Sequence, residues 1–102
     1  PEVLRVAAEY NRRVSTGLLN RVVREAVDRR HPPSRKGKTL KIYYASQVQV
    51  GPPTIQFWVN DPELLHFSYE RFLENRLREE FGFTGTPLRF FFKRRGEKKA
   101  QY

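Results

Sequence analysis

Apolar residues along this chain recur with two periods, and each change of period marks a predicted element. Val3, Val6, Ala7, Tyr10 and Val14 fall at helical spacing, with Arg5, Glu9, Arg12 and Arg13 between them, which predicts a first helix over residues 3–14. Ser15 or Thr16 then offers a capping oxygen, and Leu19, Val22, Val23, Ala26 and Val27 form the stripe of a second helix from about Gly17 to Arg30. Pro32 and Pro33 stop it, because they lack amide donors and disfavour helical backbone before them.

From Leu40 the period drops to two. Leu40, Ile42, Tyr44, Val48 and Val50 alternate with Lys41, Tyr43, Ala45, Gln47 and Gln49, so the even positions are expected to face a core and the odd ones the wetter side. A turn at Gly51-Pro52-Pro53 leads into a second strand with Ile55, Phe57 and Val59 inward and Gln56 and Trp58 outward; a bulge would change that register. Asn60 or Asp61 caps the next turn, and a helix starting afresh at Ser68 buries Tyr69, Phe72, Leu73, Leu77 and Phe81 before Gly82 ends it. A last strand alternates Leu88, Phe90 and Phe92 with Arg89, Phe91 and Lys93. The pattern predicts an α+β fold of order α-α-β-β-α-β, a three-stranded sheet with helices packed on one face.

Composition adds limits. The 102 residues fit one domain, and the 14% aromatic content supplies large side chains for a single core. With no cysteine, disulfide scaffolds, Cys-bearing zinc sites and thiol chemistry are excluded. No apolar run approaches the ~20 residues of a bilayer-crossing helix. The chain opens Pro1-Glu2 and contains no Met, which suggests a piece of a longer polypeptide.

Charge changes the picture more. Twenty Lys and Arg against eleven Asp and Glu give +9, a balance that favours polyanions through counterion release. It is clustered: Arg29, Arg30, Arg35, Lys36, Lys38 and Lys41 fall between residues 29 and 41 with no acid among them, and Lys93, Arg94 and Arg95 close the last strand. The Pro-Pro-Ser-Arg-Lys-Gly stretch reads as a loop of little intrinsic order that fits a phosphate backbone, or else as a solvated face. Residues 61–80 carry the opposite balance, which places a nucleic-acid face elsewhere. Tyr43, Gln47 and Trp58, on the outer side of the first two strands, are the candidate protein-docking residues; such rings also stack on bases.

Catalytic patterns are sparse. His31 and His66 lie in different segments without metal-ligand spacing, and there is no G-x-x-x-x-G-K-[ST] loop. Glu79 and Glu80 point to different helix faces. No catalytic residue, metal ligand or cofactor site is therefore assigned, and a small metal-dependent nuclease is disfavoured. Gly82-Phe83-Thr84-Gly85 has the form of the GxxG clamp of KH domains, but a strand follows instead of a second helix, so it reads as helix termination and a turn.

The order of elements, with Arg13-Val14-Ser15-Thr16, Leu19-Asn20, His31-Pro32-Pro33, Lys41-Ile42-Tyr43-Tyr44-Ala45-Ser46-Gln47-Val48 and Pro52-Pro53-Thr54, carries a resemblance. It continues through Val59-Asn60-Asp61-Pro62-Glu63-Leu64, Tyr69-Glu70-Arg71-Phe72-Leu73-Glu74-Asn75, Leu77-Arg78 and Gly85-Thr86-Pro87. Over nearly its whole length the chain resembles the C-terminal KH-like domain of the Der (EngA) family of bacterial ribosome-assembly GTPases. The resemblance implies residues 1–13 as the last helix of a preceding GTPase domain or a linker, 14–95 as the KH-like domain, and 96–102 as a disordered basic tail. It implies a cytoplasmic parent protein that binds GTP and Mg²⁺ elsewhere and serves biogenesis of the large (50S) ribosomal subunit. This domain is then expected to be non-catalytic, contacting ribosomal RNA through the two basic clusters; the alternative is an intramolecular docking domain that regulates the adjacent GTPase domains.

Overall fold

The computed structural model describes residues 12–83 and 85–96. Helix α1 spans Thr16–Arg29, capped by Ser15, whose Oγ accepts the Leu18 amide. Leu19, Val22, Val23 and Ala26 are its buried stripe, as their spacing requires. Residues 12–14, the described part of the first expected helix, are not helical; the rest of that segment lies outside the described residues.

The basic stretch that the sequence reads as a loop is a short ribbon. Strands β1 (Ser34–Arg35) and β2 (Lys38–Thr39) pair antiparallel, Ser34 opposite Thr39 and Arg35 opposite Lys38. Lys36 (φ 52°) and Gly37 (φ 76°) make the turn, both in the left-handed region that a two-residue hairpin turn needs. A hydroxyl bond between Ser34 and Thr39, 3.0 Å, closes the base of the ribbon.

The main sheet contains β3 (Ile42–Gln49), β4 (Thr54–Val59) and β5 (Arg89–Arg94) in the order β3-β4-β5, with β3/β4 antiparallel and β4/β5 parallel. A 3₁₀ turn at Pro62–Leu64, capped by the Asp61 carboxylate, leads from β4 into α2 (Phe67–Phe81). That helix supplies the crossover a parallel pair requires. Tyr69, Leu73, Leu77 and Phe81 are its buried side. Ala45, Ile55, Phe57 and Val59 meet Leu19, Val22 and Leu77 in the core, and Phe57 stacks on Phe92 at 4.7 Å and meets Phe90 edge-on at 5.1 Å.

The inward set of β3 differs from strict alternation. Ile42 pairs with Val59 and Tyr44 with Trp58, so Tyr43 is an extra residue, and a second shift lies between Gln47 and Gln49. Beyond the first bulge every side chain changes face. Ala45 and Gln47 are buried, while Tyr44 and Val48 are exposed.

Gln47 was expected on the outer side and is only 5% exposed on the inner one. Its Oε1 accepts the Val14 amide at 2.7 Å and its Nε2 donates to the Arg12 carbonyl at 2.9 Å, so one amide side chain satisfies two backbone groups of the segment entering α1. Asn20 acts likewise one turn along the helix: it donates to the Ala45 carbonyl and accepts the Ala45 amide, both at 2.8 Å, covering the open edge of β3.

Candidate nucleic-acid interface

The sheet topology brings together basic residues that are far apart in sequence. β3 begins where β4 and β5 end, since Ile42 pairs with Val59 and Val59 with Arg94. The junction is Asn60. Its Oδ1 accepts the Lys41 amide at 2.8 Å and the Asp61 amide at 2.9 Å, and its Nδ2 donates to the Thr39 carbonyl at 3.0 Å. The Asn60 amide also donates to the Lys41 carbonyl, and the Arg95 amide to the Val59 carbonyl. One side chain thus fixes the foot of the ribbon against the end of the sheet.

Around that junction stand Arg35, Lys36, Lys38 and Lys41 from the first basic cluster and Lys93, Arg94 and Arg95 from the second. The Arg94 guanidinium lies 3.3 Å from the Asp61 carboxylate, and Arg35 donates to the Glu63 carbonyl at 3.1 Å. Between the ribbon and the 3₁₀ turn is a recess of about 300 Å³ lined by Arg35, Lys36, Lys38, Asp61, Glu63 and Leu64. The Arg95 guanidinium sits over the Tyr43 ring, 3.9 Å from its centroid. Tyr43 is therefore part of the basic end and holds one of its cations in place.

Arg29 and Arg30 are placed differently. They end α1, where a cation favours the helix dipole, and the Arg30 guanidinium lies over the Phe72 ring of α2. The Arg30 carbonyl accepts the Tyr69 hydroxyl at 2.7 Å. These two arginines serve the helix layer, and no hydrogen bond or ion pair found among the described residues joins them to the ribbon. Among the described residues, the two shifted titrations also belong to α2: burial pushes the Tyr69 hydroxyl up to about 12, with Arg30 opposing, and burial aided by Glu74 raises the Glu70 carboxyl.

The Gly82–Gly85 segment ends α2. The Gly82 amide (φ 91°) donates to the Arg78 carbonyl, and Phe83 (φ 58°) turns its ring into the core. The Phe83 carbonyl accepts Arg78 Nη1 and the Thr86 amide. Thr84 lies outside the described residues.

A second surface lies on the sheet face away from the helices. Tyr44 and Trp58 meet at 5.7 Å, and a groove of about 430 Å³ is lined by Val48, Gln49, Thr54, Gln56, Phe91 and Lys93. Tyr44 is 47% and Phe91 51% exposed. Of the sequence candidates for docking, Trp58 belongs to this face. Tyr44 and Val48 join it because of the bulges in β3, which a strict period of two does not reveal, and Phe91 joins it by the regular alternation of β5.

Two helices on one face of a three-stranded mixed sheet, with a basic ribbon at one end, define a KH-like α+β module. The chain belongs to the KH-domain-like family found at the C-terminus of EngA bacterial GTPase enzymes, whose family model matches residues 13–93. It is 61% identical over 93 residues to the GTPase Der of Moorella thermoacetica, covering 91% of this chain and 21% of that protein. Against the GTPase Der of Halothermothrix orenii the identity is 56% over 90 residues, 88% of this chain and 20% of the relative. Against that of Bacillus cytotoxicus it is 54% over 95 residues, 93% and 22%. The chain spans about a fifth of the length of the curated relatives it matches.

Proposed function

We propose that this chain is the RNA-contacting, non-catalytic KH-like module of a cytoplasmic GTPase that acts in biogenesis of the large ribosomal subunit, with residues 14–95 forming the module. On this reading GTP and Mg²⁺ belong to the part of the protein that corresponds to the remaining length of the relatives. The observation that supports it is the meeting of two basic clusters at Asn60, which gathers Arg35, Lys36, Lys38, Lys41, Lys93, Arg94 and Arg95 at one end of the molecule while the carboxylates of α2 stay on the helix layer. Such an end binds phosphates and carries no base code of its own.

Affinity for ribosomal RNA should fall steeply with salt, each neutralised phosphate adding about 0.7–0.9 to the slope of log K against log salt. Neutralising Arg35, Lys36 and Lys38 together should weaken binding and flatten that slope by about two to three. An affinity indifferent to salt or to the triple variant would sink this reading.

A specific observation favours a second role beside the first. The outer sheet face exposes Tyr44, Val48 and Phe91, and four fifths of the relatives' length lies beyond the matched region. We infer that a GTPase domain of the same polypeptide docks there, leaving the basic end for RNA.

A further inference from the structure

We propose that the β1–β2 ribbon bridges the two phosphate rows flanking a groove of an RNA double helix, so that the RNA this module contacts is duplex and not an unpaired strand. This rests on the RNA-contacting reading above and names its substrate class.

The ribbon is built at a cost. Arg35 and Lys38 face each other directly across the two strands, a like-charge pair that opposes strand pairing, and Lys36 occupies a left-handed position that disfavours a side chain. Three cations around one turn repel one another, and anions approaching from more than one side relieve that repulsion. A single strand offers one row of phosphates. The major groove of an A-form helix is deep and narrow, so its two phosphate rows lie close together, and a ribbon laid across its mouth meets a row on each side without entering it.

The ribbon is also held rigidly. Pro32 and Leu40 are buried on either side of it, Ser34 bonds Thr39, Asn60 holds the Thr39 carbonyl, and Arg35 reaches the Glu63 carbonyl. A fixed set of cations matches the fixed phosphate spacing of a duplex and is poorly suited to follow a flexible strand.

Unpaired RNA is gripped by stacking its bases on exposed rings and by clamping its backbone. No ring lines the recess beside the ribbon, the Tyr43 ring is 42% exposed but has the Arg95 guanidinium over it at 3.9 Å, and Phe83 of the GxxG-like segment is turned into the core. Of the other exposed rings, Tyr44 and Phe91 lie on the outer sheet face and Phe67 opens α2, with Arg71 over it. At the basic end, recognition is left to phosphates and helix shape.

The test compares the 102-residue chain with a duplex RNA of about 16 base pairs and with one of its strands alone, at matched salt. Duplex binding at least about tenfold tighter is expected, and Arg35→Gln with Lys38→Gln should weaken the duplex more than the strand and erase the preference. Lys36→Asn guards against misfolding: asparagine suits the left-handed turn position, so thermal stability should hold or rise while duplex affinity falls about two- to fivefold. Equal or tighter binding of the single strand, or equal loss for both RNAs in the double variant, overturns the proposal while leaving the RNA-contacting reading in place. Binding to neither RNA at low salt overturns both.

Discussion

Three amide side chains, Asn20, Gln47 and Asn60, do work in this domain that a backbone ladder does elsewhere. Each pairs with main-chain groups of a segment distant in sequence, so each fixes a junction between elements. The Tyr69 hydroxyl does the same for the end of α1, through the Arg30 carbonyl. Tyr69→Phe should cost about 1 kcal/mol at neutral pH, the net value of one such bond. Its pH dependence is specific. Because the folded hydroxyl titrates at about 12 against 10.0 for the free group, the unfolded chain loses this proton first, and the contribution is present below pH 10.0 and lost as pH rises through about 12. The difference in unfolding free energy between wild type and Tyr69→Phe, measured by denaturant titration, should therefore shrink across that window; a constant difference would assign the residue's value to packing alone. None of these amide roles is visible in the sequence, since an amide that pairs with backbone has the same local pattern as one that faces water. Gln47 shows this best: its odd position argued for the outer side, and only the bulge and the Val14 and Arg12 backbone groups explain its burial.

Elements with sustained periodicity were legible from their side chains. α1 begins and ends within a residue or so of the expected bounds because its cap, stripe and proline stop are all local signals. The stripe of α2 and the inward set of β4 and β5 follow for the same reason. β3 was half legible, because each bulge reverses the face and is set by pairing with β4 and not by anything in β3 itself. The ribbon was not foreseen. Its strands are too short for a period, and the turn signal Lys36-Gly37 is weaker than Asn-Gly. What makes it an element is Asn60, which lies across the molecule in sequence. Asn60→Ala removes no charge yet releases both the Thr39 carbonyl and the Lys41 amide. It should destabilise the domain by about 1–2 kcal/mol in denaturant titrations. At temperatures where the fold persists, RNA affinity should fall while the salt slope stays near that of the parent, because the same cations are present but less well placed. Unchanged affinity in a destabilised variant would show that charge alone, without the geometry at Asn60, accounts for binding.

At the scale of the whole molecule the net +9 is distributed by layer. The helix layer carries the carboxylates of α2, with local pairs such as Arg76–Glu79 and Arg78–Glu74. One end of the sheet carries a group of seven cations, and the outer sheet face carries exposed rings. The convergence of sequence-distant clusters could not be read from the chain, because it depends on β4 and β5 running parallel and ending together. Two surfaces of different chemistry allow two partners at once, and mutations separate them. Tyr44→Ala with Phe91→Ala trims the outer face and removes none of the seven basic residues, Lys93 being the one that also lines the outer groove. RNA binding by the 102-residue chain should then stay within about twofold of the parent, since phosphate contacts dominate it. In the longer GTPase polypeptide proposed above, the same pair should change the rate of GTP hydrolysis several-fold, because an exposed patch centred on aromatic residues holds most of its docking energy in a few rings. Weakened RNA binding with unaltered hydrolysis would instead give the outer face to RNA, with Tyr44 and Phe91 as stacking rings, and would remove the case for docking.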